Sequence, residues 1–160
     1  MLIALKILFL GILSCLVYQD VKERKVTAYL FLILAVSGGY IHYTTQYLAV
    51  YVLNLLFNFS GLLVLLFVLI IYSKFILKKK LNEAIGLGDI FFFFVIAISF
   101  PTAAFLVILS SSLIFSLSVF LILKPKLTNK AVPLAGLQAL FLIVLIGSNM
   151  LFNFINLYAI

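Results

Sequence analysis

A chain of 160 residues in which 67% are hydrophobic and only 9% charged is not a soluble domain, which carries about 45–50% apolar and about 25% charged residues. Its 11 Lys and Arg against 4 Asp and Glu give a net charge of +7; with so little aqueous surface, that excess points to membrane topology and not to nucleic acid. The one cysteine, Cys15, excludes an internal disulfide and a cysteine-built zinc site.

Six apolar stretches follow one another along the chain. The first covers residues 2–19, interrupted only by Lys6, and the polar run Asp20-Val21-Lys22-Glu23-Arg24-Lys25 follows. The second covers 26–43. The third, 46–73, is long enough to tilt or to begin as an interfacial turn. A basic loop over 74–88 contains Lys78-Lys79-Lys80. The fourth stretch is short, 89–100, and Pro101 is expected to end it. The fifth covers 102–123. The loop 124–133 carries Lys124, Lys126 and Lys130, and the sixth stretch runs over 134–158. One helical crossing takes about 20 residues. The pattern therefore predicts an all-α integral membrane protein of about six transmembrane helices, as one membrane-embedded domain over residues 1–160.

The charges alternate with the connections. Loops 20–25, 74–88 and 124–133, with the acid that opens the fourth stretch, hold all 4 acids and every basic residue except Lys6. The turns near 43–46 and 100–101 are uncharged. Short loops rich in Lys and Arg stay cytoplasmic, so both termini are expected on the extracytoplasmic side. Lys6 lies close enough to the N-terminus to snorkel outward. Tyr40, His42, Tyr43, Tyr47 and Tyr51 fit an outer interfacial belt. A competing reading of the start, as a lipoprotein or secretory signal ending at Ser14-Cys15, fits poorly: Leu13 suits the position two before the cysteine badly.

Acids at a membrane edge are costly and draw attention. Asp20 ends the first stretch and Asp89 begins the fourth, at the same depth and on the same side. Two carboxylates at one site can share a proton, one acting as base on a water while the other polarises a carbonyl. Like charge and partial burial favour that shared proton, and Lys22, Arg24 and Lys25 oppose it. The bland alternative is a solvated pair, with Asp89 as the N-cap of the apolar helix it opens.

The local sequence sharpens this. Asp89 closes Gly86-Leu87-Gly88-Asp89, whose glycines permit close backbone approach or positive φ. Asp20 is followed by Arg24, then by Val26-Thr27-Ala28. A third patch, Val132-Pro133-Leu134-Ala135-Gly136-Leu137-Gln138-Ala139-Leu140, opens the last stretch. Together these resemble the prepilin peptidases, the Gly-x-Gly-Asp membrane aspartyl proteases that include the preflagellin peptidases, over nearly the whole chain. The family's first motif reads Asp, three residues, Arg, one residue, Ile-Pro-Asn. Here Val26-Thr27-Ala28 replaces Ile-Pro-Asn, and Phe91 stands where many members carry Lys.

The resemblance implies an aspartic endopeptidase, with Asp20 and Asp89 catalytic. Gly86 and Gly88 would shape the turn, and Arg24 would bond a backbone carbonyl or lipid phosphate. It implies no metal and no cofactor, and a prepilin-like protein substrate of the type IV pilus kind, cut at the cytoplasmic face of the inner membrane. With neither the paired Cys-x-x-Cys motifs nor the room for a methyltransferase domain, the chain looks like a peptidase-only member. Membrane lipid is an expected partner and nucleic acid is not. The alternative is a non-catalytic membrane subunit or small transporter component, a pseudoenzyme of the family included.

Other features read as structural. Asn54 and Asn58, and Asn149 and Asn153, are spaced to bond across helices. Gly38-Gly39 and Ser110-Ser111-Ser112 suit close helix approach. Phe91-Phe92-Phe93-Phe94 suits core packing or lipid. His42 is expected at the outer interface, far from the acids, and Gln138 is a possible lining of the site.

Overall fold

The computed structural model describes residues 2–23, 26–78, 86–123, 134–152 and 156–158. Among these, the regular elements are all helices. They are α1 (Leu2–Glu23), α2 (Ala28–Thr45), α3 (Leu48–Tyr72), α4 (Leu87–Ser99), α5 (Thr102–Leu123) and α6 (Leu134–Phe152), with a π-helical turn, Ser73–Leu77, extending α3. Four segments are long and apolar enough to cross a membrane: Ile3–Glu23, Leu48–Phe75, Thr102–Ile122 and Leu134–Phe152. α4 is shorter, 13 residues, or roughly 20 Å at 1.5 Å per residue.

Two element ends differ from the sequence reading. The polar run after residue 19 is not all loop: α1 continues through Asp20 to Glu23, so Asp20 is a helical residue. The basic connection also begins later, because the π-helical turn carries Lys74 and ends at Leu77, with Lys78 as its C-cap.

The core is built from helical stripes. Phe9, Leu13 and Leu16 on α1 are buried, as are Ala135, Ala139, Leu142 and Ile146 on α6 and Phe105, Ile108 and Leu109 on α5. Spacings of three and four put each set on one face. The opposite faces remain apolar and exposed, including Leu56, Phe57, Leu63, Val64 and Phe67 on α3 and Val107, Ile114 and Leu121 on α5. Helices that are apolar all round suit a bilayer and not water.

α4 is the central element: Phe92, Phe93, Val95, Ile96, Ala97 and Ser99 are all buried. α2 approaches it through its glycines. A Cβ on Gly38 would collide with Ser99, and one on Gly39 would sit 2.8 Å from Ile98 Cγ2. Small residues at such crossings let two backbones pack closely.

A short buried helix leaves its last carbonyls without helical partners, and in an apolar setting these must be satisfied internally. Buried Asn58 donates through Nδ2 to Ala97 O and Phe100 O, each at 2.8 Å. His42 Nδ1 lies 3.0 Å from Ile98 O. Thr102 donates to Asn54 Oδ1 from its hydroxyl at 3.0 Å, and Asn54 Nδ2 donates to Gln46 Oε1 at 2.7 Å. Asn54 and Asn58 therefore do bond across helices. The expectation for His42 is corrected: it is fully buried and serves the end of α4, not an interfacial belt. Asn153 lies outside the described residues.

Candidate functional site

The end of α1 and the starts of α4 and α6 meet at one end of the bundle. There the first-turn amides of α6 point out with no partner in their own helix. Asp20, from α1, accepts the Gly136 N–H through Oδ2 at 2.6 Å. Asp89, from α4, accepts the Ala135 N–H through Oδ1 at 2.8 Å. Two acids far apart in sequence thus sit on consecutive amides of a third helix. They are near enough to interact through charge, and the positive end of the α6 dipole favours both carboxylates.

The Gly-x-Gly-Asp run opens α4, but Asp89 is not its cap. Gly86 is the N-cap of α4, with φ −67° and ψ 145°, and Asp89 is the third residue of the helix. Asp89 Oδ2 reaches back to accept the Gly86 N–H at 3.2 Å, the acid half of a capping box. Asp89 is therefore not the N-cap residue. No described glycine has positive φ. The demand at Gly86 is for space: a Cβ there would stand 3.2 Å from Asp89 Oδ2. At Gly88 it would stand an ordinary 3.6 Å from Phe31 Cζ.

Gly136 is the tightest residue of the site. A Cβ on it would lie 2.9 Å from Asp20 Oδ2 and 3.0 Å from Asp20 Cβ. The amides of Ala135 and Gly136 were not singled out from sequence as site groups. A glycine in the first turn of the last apolar stretch, after a proline, was the available signal.

Three further residues flank this end. Thr27, the N-cap of α2, has φ −70° and ψ 125°; its N–H donates to Gln19 Oε1 at 3.0 Å, and its hydroxyl at 3.1 Å. Lys22 Nζ donates to Tyr18 Oη and lies 4.8 Å over its ring. Gln138 is fully buried on α6, and among the described residues neither of its amide atoms has a hydrogen-bond partner. Arg24 lies outside the described residues. Among the described residues, no group of three or more His, Cys, Asp and Glu side chains is gathered around a metal position.

An apolar groove of about 270 Å³ opens between α2 and α4, lined by Ala28, Phe31, Leu32, Ala35, Phe91 and Phe94, with Val95 at its base. Phe91 follows Asp89 by two residues and is about half exposed, whereas Phe92 and Phe93 are buried.

Compared with known proteins, the chain matches no family model, no curated protein and no solved structure. What the site can do therefore rests on its own chemistry. Two neighbouring carboxylates, each steadied by a backbone N–H, can act as a general base and a general acid on one water.

Proposed function

We propose that the chain is a membrane aspartyl endopeptidase of the prepilin peptidase type, removing the short basic leader of a prepilin-like protein. The observation that carries the reading is the convergence of Asp20 and Asp89 on the consecutive amides of Ala135 and Gly136. One carboxylate takes a proton from water as the water oxygen attacks the scissile carbonyl carbon. The other, protonated, donates a hydrogen bond to the carbonyl oxygen. Collapse of the tetrahedral intermediate breaks the C–N bond, and the departing amine takes up a proton from the dyad.

Charge and shape support the same reading. Lys22, Lys74 and Lys78 belong to the acid end of the chain's alternating helices, and Lys6 to the other. By the excess of basic residues on cytoplasmic loops, the acids face the cytoplasm, the chain makes six crossings of the inner membrane, and both termini lie outside. A substrate with a basic cytoplasmic leader and an apolar membrane helix presents its scissile bond at that depth. The groove between α2 and α4 is apolar, as a seat for that helix requires. At Thr27, where the family has proline, φ lies within the proline range of −65 ± 15°. Arg24 would bond a backbone carbonyl or a lipid phosphate.

A second reading is favoured by one observation. Both acids already serve as acceptors for helix amides, and such a clasp would hold α1, α4 and α6 together in a non-catalytic membrane subunit. Co-expression with prepilin-like proteins of the same genome separates the readings. Leader removal that depends on the chain supports the protease; intact leaders on every candidate, with the chain inserted, support the subunit.

A further inference from the structure

At the end of the bundle away from the acids lies a cavity of about 510 Å³ between α1, α2 and α6. Its polar side chains are Lys6, Asn149, Asn156 and Tyr158, and its apolar walls include Phe9, Ile41 and Ile146. Asn156, Leu157 and Tyr158 also border it. Gln46 Nε2 donates to Tyr158 O at 3.3 Å, and the Tyr158 ring stacks on Phe100 at 5.8 Å between centroids. The volume falls within the roughly 300–1,000 Å³ range of small-molecule sites.

Lys6 is the group that needs an explanation. It is partly buried, and a cation among apolar side chains is costly without a counter-charge. Among the described residues no hydrogen bond or ion pair holds its ammonium. Asp20, on the same helix, stands roughly 21 Å farther along. Lys6 also lies roughly 6 Å from the start of α1, the depth at which the hydrocarbon gives way to headgroups. The anion available at that depth, carried on a chain that apolar walls accept, is a phospholipid phosphate.

The geometry points to a bound anionic glycerophospholipid. Its phosphate sits on the Lys6 ammonium, its glycerol and headgroup oxygens face the carboxamides of Asn149 and Asn156, and one acyl chain lies along Phe9, Ile41 and Ile146. This site is separate from the acids and does not depend on the protease reading.

The test is native mass spectrometry of the full chain in detergent, titrated with palmitoyl-oleoyl phosphatidylglycerol or phosphatidylcholine. The wild type should retain one phosphatidylglycerol in preference to phosphatidylcholine. Lys6→Met should weaken that retention about fivefold or more, and Lys6→Arg should restore it. Met150→Trp, which fills the cavity from its partly exposed wall without changing charge, should weaken it as well. Equal retention by wild type and Lys6→Met would overturn the proposal. So would full retention by Met150→Trp, which would put the lipid on the outer surface. Displacement by inorganic phosphate would assign the site to a free anion, and a dimer in place of the bound lipid would assign it to a second copy; either overturns it.

Discussion

Gly136 brings its amide to 2.6 Å from Asp20 Oδ2, and only the absence of a side chain allows that approach. A methyl group there would stand 3.0 Å from Asp20 Cβ, inside ordinary contact. Gly136→Ala should push Asp20 off its amide, destabilise the protein by about 1–3 kcal/mol as overpacking does, and depress leader cleavage. Gly147 is the internal control, since a Cβ on it meets nothing within 4 Å. Gly147→Ala should raise stability by roughly 0.5–1 kcal/mol and leave cleavage alone. Thermal unfolding in detergent, with cleavage measured beside it, checks both.

Asn58 carries the end of α4. Asn58→Leu removes both Nδ2 donors and strands Ala97 O and Phe100 O in the core. The expected loss is about 1–3 kcal/mol for each buried acceptor left unpaired, read as a lower unfolding temperature. Asn58→Asp should be worse, because a carboxylate would face two carbonyl oxygens. Equal stability of all three proteins would refute the role given to Asn58.

Gln138 makes the opposite prediction. Its buried amide has no partner among the described residues, so removing it removes a desolvation cost. Gln138→Leu should leave the protein at least as stable, by up to about 1–3 kcal/mol. A clear drop in unfolding temperature would mean that the amide is engaged after all.

Much of this arrangement was legible in the sequence, for definite reasons. Long apolar runs bounded by charged loops mark helices, and their order puts Asp20 and Asp89 at one end of the chain's alternating path. The groups that receive the acids were not legible, because the Ala135 and Gly136 donors are backbone and no side chain advertises them. His42 was misread because its neighbours Tyr40 and Tyr43 suggest an interface. Its burial follows from the shortness of α4, whose Ile98 carbonyl ends where His42 can reach it. Asp89 was weighed as an N-cap because Asp suits that position. Gly86 takes it instead, and Asp89 at the third helical residue closes the box from inside. The α1 boundary was set early because Asp20 through Glu23 are mostly polar, although they remain helical at an aqueous end.

The groove between α2 and α4 yields a specificity prediction. Ala35 lines it and is half-buried. Ala35→Phe should narrow it and lower cleavage by about 10-fold or more, the scale on which apolar pockets discriminate shape, with little change in unfolding temperature. Unchanged cleavage would remove the groove from the account of substrate binding.

The most direct test of the central claim uses the difference between an acceptor and an acid. Asparagine keeps a carbonyl oxygen that can accept the Ala135 or Gly136 N–H, but it cannot exchange a proton with water. Asp20→Asn, Asp89→Asn and the double variant should therefore insert and melt close to the wild type, Asp89→Asn giving up only the exposed Gly86 N–H bond, which water can replace. Each should lower cleavage of a co-expressed prepilin-like protein by at least about 10²–10⁴-fold, with the double variant little worse than either single one. The readout is the mass of the substrate's new N-terminus, measured beside the unfolding temperature. Loss of cleavage in all three at unchanged stability is the predicted result. Near-normal cleavage by either single variant would contradict the dyad and leave Asp20 and Asp89 as a structural clasp.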